Sequence, residues 1–431
     1  MKKKMHYAWI ILIGCCALSF VQMGLLTNTN SLFIPFILEG TGMSMTVYTL
    51  IIMFQTLLLA VGMAIAGRVI ASGRIRLVLL VAGTMEGGAV ILRSQAVNTG
   101  MWIMAALLWA ISSAFLGGLV SQILIANWFS EKTGLAFGIL AATAGVGGIV
   151  CNPIVGALIT SFGWRVAMLL NAVLLLAVVF VLAFFVLRFS PGEGQAPYGA
   201  QPGPGDLKED AEASLTGPSY RKVSKTKAFW FIAIAGSFLA VGLAMQQSFS
   251  PQLTEYGYSV SEIALVMSSL MLGTTVSQLV TGILLDRFNN GLVVTIIAIL
   301  GCAGFAGMIM NGGYAMTIVS AALVGCGAPL MQVALPVIRR TVCGTRSYSQ
   351  GTATSGAIAA LLPAVAMVAS GISFDTTRSY NVPYMATIVL FAVSVFLVIH
   401  SLVNGYTKKG SELNRMHEQE QEDFRESVEV I

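Results

Sequence analysis

The chain has 431 residues, of which 56% are hydrophobic and only 10% charged, with a formal net charge of +5. A soluble globular domain carries about 25% charged residues, so a solvated enzyme is excluded. The basic residues are spread among short loops rather than clustered, which argues against a nucleic-acid partner.

An apolar run of about 20 residues spans a bilayer core, and in chain order this sequence supplies twelve. The first six are 7–36, 45–70, 76–97, 101–128, 134–161 and 164–188. The second six are 227–252, 260–285, 291–311, 314–338, 348–373 and 382–405. The predicted fold is an all-α membrane protein of twelve transmembrane helices. Met1-Lys2-Lys3-Lys4 precedes a run too long for a secretory signal and without a small-x-small cleavage site, so the first helix is expected to be retained. Residues 190–226 are rich in Pro and Gly, then charged, and contain no apolar run; they are expected to form a flexible linker. The tail 406–431 is strongly charged, with seven acids from Glu412 onward.

The expected organisation is an N-terminal six-helix bundle, 1–189, the linker 190–226, a C-terminal bundle, 227–405, and the tail 406–431. With the N-terminus inside, 21 of the 24 basic residues fall on the cytoplasmic side, leaving Arg93, Arg165 and Arg378 on the other. Lys and Arg resist translocation, so both termini are expected in the cytoplasm. The expected location is the plasma membrane, that of a bacterial inner membrane. The six cysteines, Cys15, Cys16, Cys151, Cys302, Cys326 and Cys343, form no C-x-x-C pair and no disulfide framework.

An offset of 215 residues sets Gly67 under Gly282, Gly42 under Gly257 and Ser44 under Ser259. One residue out of that register, Phe33-Ile34-Pro35 with Glu39 mirrors Phe249-Ser250-Pro251 with Glu255. The chain is two copies of one membrane unit.

Gly282-Ile283-Leu284-Leu285-Asp286-Arg287-Phe288, between the second and third helix of its copy, resembles the signature loop of the major facilitator superfamily. In the first copy, Gly67 to Arg76, Ala71 replaces the aspartate and Ser72 the arginine. Gly148-x-x-x-Asn152-Pro153-x-x-Gly156-Ala157 resembles the Gly/Pro motif of the family's exchangers, with Asn152 where Gly is usual; ordinary small-residue packing is the alternative. Phe162-Gly163-Trp164-Arg165 is a common family opening of the sixth helix. The stretch Asn127 to Ala136, and Pro191 to Gly199 with its Pro-Tyr-Gly ending, resemble the oxalate/formate antiporter and monocarboxylate transporter branch. The resemblance implies two six-helix repeats with a substrate site at their interface near the midplane.

Glu86 is the one acid near the middle of a span, and charges there are functional candidates. Its neighbours Gly83, Gly87 and Gly88 allow close helix contact. Burial disfavours the charged form of a carboxyl group, the property a proton carrier needs; a packed structural acid is the alternative. Arg93 lies seven residues on, on roughly the same face, and joins Glu86 as a proton-coupling candidate.

The resemblance implies that the first, fourth, seventh and tenth helices line the cavity. Their polar side chains are Gln22, Asn28, Asn30, Ser112, Ser113, Gln122, Gln246, Gln247 and Gln332, and Trp109 is a plausible wall. Amides both donate and accept, which suits a polar solute; interhelical bonding is the alternative. Relatives that carry organic anions hold a cation in the eighth or eleventh helix, and this chain has none there. Pro329 and Pro336 loosen the tenth helix as a gate. Arg68, Asp286 and Arg287 are the gating candidates of the signature loops.

No nucleotide-binding or hydrolase motif appears, and the chain is expected not to be an enzyme. No cofactor or metal is expected. The expected activity is secondary transport of a small organic acid or similar polar metabolite, by proton symport or by exchange, in a monomer surrounded by membrane lipid. Drug or lipophile efflux is the alternative. From another class comes a transport-inactive sensor or lipid-handling protein on the same scaffold.

Overall fold

The computed structural model describes residues 6–71, 75–116, 118–129, 131–188, 198–199, 218–344, 348–405, 413–415 and 418. In hydrocarbon every backbone N–H and C=O must be paired within its own segment, and a helix does this. The described residues are accordingly helical, with one isolated bridge between Phe129 and Tyr198. Among the described residues, twelve helices are long and apolar enough to cross a membrane. The first six are Tyr7–Thr27, Met45–Met63, Ile75–Ser94, Thr99–Ile125, Leu135–Phe162 and Trp164–Val186. The second six are Lys227–Glu255, Val260–Leu285, Asn290–Met310, Tyr314–Cys343, Gln350–Thr377 and Asn381–Val403. An even number of crossings returns both ends to one face. Side chains such as Phe185, Met310 and Phe396 stand exposed and apolar, as lipid contact requires.

Four spans depart from regular α geometry, among them the sixth, which ends in a π turn at Leu182–Val186. The first is α-helical over Tyr7–Ser19, widens to a π-helix over Phe20–Thr27, and is continued by a separate helix, Asn30–Thr41. The seventh tightens to a 3₁₀ turn at Gln246–Ser248 before Phe249–Glu255. The tenth is π-helical over Leu330–Ala334, where Pro329 and Pro336 remove backbone donors on either side.

The chain groups into two compact units. The first comprises Met1–Pro202, Gln247–Leu272 and Val368–Ser379; the second comprises Gly203–Gln246, Gly273–Met367 and Tyr380–Ile431. The first unit therefore takes in the far ends of the seventh, eighth and eleventh spans, those on the face opposite the chain termini.

Close helix contact in the first unit rests on missing side chains. A Cβ at Gly24 would lie 2.6 Å from the Gly147 Cα, so the first span meets the fifth backbone to backbone. At Gly83 and Gly87 a Cβ would strike Val179 and Leu176 of the sixth span, while Gly88 faces open space. Arg165, in the motif that opens the sixth span, donates to the carbonyls of Ser94 (2.9 Å) and Ala96 (3.2 Å), closing the end of the third. Composition alone marks residues 190–226 as flexible, and most of them lie outside the described residues. Tyr198, however, donates from its backbone to Trp128 O at 2.8 Å and accepts from the Glu131 N–H at 3.1 Å. Its ring packs against His6, Trp9 and Phe129. Residues 220–223 form a single helical turn.

The second unit uses the same device. A Cβ at Gly304 would fall 2.4 Å from Val324 N, and one at Gly273 would fall 2.1 Å from Ala322 O. Phe305, Tyr384 and Phe391 interlock as a buried aromatic group beside these crossings.

Gly273 and Gly282 share the eighth span, and a Cβ at Gly282 meets nothing within 4 Å. Gly273→Ala should lower thermal stability in detergent by about 1–3 kcal/mol through overpacking. Gly282→Ala should leave it unchanged or raise it by about 0.5–1 kcal/mol. Equal melting of the two variants would contradict the assigned crossing.

Candidate functional site

Glu86 is fully buried in the third span, because Gly83 and Gly87 draw the sixth span against that face. Its Oε1 accepts from Ser113 Oγ of the fourth span at 3.0 Å. The Gln22 side chain, from the π segment of the first span, is its second hydrogen-bonding neighbour. Glu86 Oε2 and Gln22 Oε1 are both buried acceptors without a partner. Three spans thus converge on one carboxyl group, of which one oxygen is left without a partner.

Arg93 sits two turns further along the same helix, about 10 Å away along the axis at 1.5 Å per residue, and is 6% exposed. Its Nη2 donates to Gln55 Oε1 of the second span at 2.8 Å. The guanidinium lies over the rings of Trp102 (5.2 Å) and Trp109 (5.3 Å), a desolvated cation–π arrangement. Its Nε and the Trp102 indole nitrogen have no partner. Tyr48, tilted against Trp102, accepts from Asn30 Nδ2 at 3.2 Å. Together these residues thread the inside of the first unit with polar groups.

The remaining candidates are divided. Asn28 is part-buried and donates to Ala144 O of the fifth span at 3.0 Å. Gln122 is exposed, and Gln246 and Gln247 are half-buried. Gln332 is exposed on its π segment, where Gln278 Nε2 of the eighth span donates to its Oε1. Ser277 beside it bonds Cys326 O at 3.0 Å. Gln22, Gln246, Gln247 and Gln332 all lie on the non-α turns of their spans. Such turns recur at functional sites. Pro329 is buried and Pro336 half-buried at the two ends of the tenth-span irregularity. Arg287 is exposed; the side chains of Arg68 and Asp286, and residues 72–74 of the first signature loop, lie outside the described residues.

Sequence reasoning missed Gln55, Tyr48, Trp102 and Gln278. A tryptophan or glutamine inside an apolar run carries no mark of its partner. The one available signal was Arg93 itself, since a buried guanidinium demands a ring face or an acceptor nearby.

Against this geometry, residues 15–338 and 242–425 match the Major Facilitator Superfamily. The chain belongs to this family of membrane transporters, multi-pass proteins that move small molecules rather than enzymes. No curated protein gives a significant match. Among solved structures, a bacterial homolog of the human lysosomal transporter Spinster, inward-facing and occupied, aligns with TM-score 0.67 at 14% identity. That alignment covers 91% of this chain and 96% of the other. The unoccupied inward-facing form aligns with TM-score 0.64 at 16% identity, covering 97% and 99%. A mutant of the nucleoside transporter NupG aligns with TM-score 0.68 at 15% identity, covering 91% and 99%. At these identities the likeness is one of fold.

Gln55 supplies the hydrogen bond of a buried cation. Gln55→Leu should lower thermal stability by about 1–3 kcal/mol, the penalty for leaving a buried polar group unpaired. Melting at the wild-type temperature would show that the two indole rings hold Arg93 without it.

Proposed function

We propose that the protein is a secondary active transporter of a small polar metabolite, an organic acid or a similar solute, working by alternating access, with Glu86 carrying the coupling proton. The observation that supports this reading is the fully buried Glu86 carboxyl group, one of whose oxygens has no hydrogen-bond partner. Both oxygens are acceptors, and a proton on Glu86 turns its carboxyl group into a donor. Removing that proton leaves a bare carboxylate in a low-dielectric interior, which is costly unless water or a partner reaches it. Gln22 stands on a π segment, whose looser ladder can shift and expose the pair. A protein-bound proton can then be taken up in one state and released in the other.

The organic-acid branch rests on the stretches 127–136 and 191–199. Within them, Trp128 and Glu131 are each joined to Tyr198 by a backbone hydrogen bond. They act as one local unit, as two halves of a single signature would. A second reading, a neutral or zwitterionic solute, is favoured by Arg93. It is buried and engaged with Gln55 and two indoles, which leaves solute recognition to amides such as Gln332 and Gln278.

In the same reading the bundles are residues 1–189 and 227–405, and the protein acts as a monomer in the plasma membrane with both termini cytoplasmic. Arg68, Asp286 and Arg287 steady the cytoplasmic side, and the irregular tenth span flexes between Pro329 and Pro336.

Glu86→Gln fixes the neutral form. In proteoliposomes it should abolish uptake driven by a pH gradient while preserving solute exchange and thermal stability. An unchanged proton-to-solute ratio would remove Glu86 from the coupling path. Orientation is tested separately, with single cysteines at Thr99 and within 190–226; they should react with an impermeant maleimide from opposite sides, and reaction from one side would refute the topology.

A further inference from the structure

The repeat offset of 215 residues sets Gly371 over Gly156, Met45 under Val260 and Thr49 under Ala264. These residues meet in matching pairs inside the first unit. A Cβ at Gly371 of the eleventh span would lie 2.5 Å from Thr49 Oγ1 and 3.0 Å from Met45 O of the second. A Cβ at Gly156 of the fifth would lie 2.7 Å from Ala264 Cβ and 3.6 Å from Val260 O of the eighth. The eleventh-on-second and fifth-on-eighth seams are therefore repeat-related counterparts, both on the face opposite the chain ends.

They differ one turn further on. Asp375 Oδ1 accepts from the Met45 N–H at 2.9 Å, and Oδ2 accepts from the Thr46 N–H at 2.8 Å and the Thr46 hydroxyl at 2.5 Å. A carboxylate of the eleventh span thus caps the start of the second, satisfying amides that have no partner within their own helix. The counterpart position holds Thr160, whose hydroxyl bonds its own helix at Gly156 O, 2.9 Å away. The eighth span is capped locally instead, by Glu262 Oε2 accepting from the Ser259 N–H (2.8 Å) and hydroxyl (2.7 Å). One seam carries a charge-assisted clasp between helices; the other is small-residue contact with one neutral bond, from Ser268 Oγ to Ile149 O at 3.1 Å. Asp375 also borders a cavity of about 550 Å³ lined by Glu39, Thr254 and the ion-paired Glu255 and Arg378, so water reaches the clasp.

We infer that Asp375 is the latch of this closure, and that the two seams part unequally: the second–eleventh seam opens only when the Asp375 bonds break, whereas the fifth–eighth seam opens without breaking a charged contact. The inference rests on the alternating-access reading, because only a closure that must reopen needs a latch.

The test uses Thr49→Cys, 1% exposed at the latched seam, in full-length protein in nanodiscs, with native cysteine labelling subtracted. Asp375→Asn keeps the shape and removes the charge. It should raise the rate of maleimide labelling at position 49 about ten-fold or more, the scale of one lost charge-assisted bond. Asp375→Glu should restore part of the protection. Thr46→Val, which removes only the hydroxyl bond, should give a smaller rise. A cysteine at Ala264 in the unlatched seam should label at the same rate with or without Asp375→Asn. Lower melting with unchanged labelling at position 49 would make Asp375 a structural cap and overturn the latch, as would equal acceleration at both seams. Labelling does not depend on solute flux. A labelling rise in a protein that moves no solute would therefore sink the transport reading and leave the latch standing.

Discussion

A charged group inside a membrane protein must be surrounded by protein rather than lipid, and here that constraint is met in the third span. Glu86 and Arg93 cannot face hydrocarbon, so the helix that carries them must be enclosed on that side. Gly83 and Gly87 enclose it by letting the sixth span approach to within side-chain contact. The fourth span then supplies Ser113, Trp102 and Trp109, the second supplies Gln55 and Tyr48, and the first supplies Gln22 and Asn30. The interior of the first unit is built around two ionisable side chains, and its packing follows from the need to satisfy them.

The two charges are treated differently. Arg93 is delocalised and weakly hydrated, so ring faces and one amide suffice to hold it. Glu86 has a single hydroxyl donor, an amide neighbour and a bare oxygen, a set that fits a protonated acid better than a carboxylate. In the proposed mechanism Arg93 is a fixed cation on the same helix as the group that would carry the proton. Its neighbour Gln22 lies on a helix segment that is already non-α, where small rearrangements break few bonds. The coupling role proposed for Glu86 rests on that combination of burial and incomplete pairing.

Most of the fold was legible in the sequence because its cause is local: an apolar run of sufficient length must be a helix in lipid, and the 215-residue repeat carries the register. Glu86 was legible as a candidate because a lone acid in such a run is costly, although a packed structural acid would read the same way. The aromatic cage of Arg93 was not, since Trp102 and Trp109 read as ordinary apolar residues until the helices are assembled. Asp375 was passed over because it lies at a span end, where acids are common; its partners, Met45 and Thr46, are more than 300 residues away in the chain. Tyr198 was hidden by the composition around it, which predicts looseness, whereas its own backbone pairs with Trp128 and Glu131.

The most direct test of the central claim is the infrared carbonyl band of a protonated carboxylic acid, taken as the difference between wild-type protein and Glu86→Gln in lipid at neutral pH. A proton resting on Glu86 should give a band that is present in the wild type, absent in the variant, and shifted on exchange into heavy water. Absence of any such band, with the carboxylate bands of the wild type exceeding those of the variant, would place a bare carboxylate at Glu86 and contradict the account.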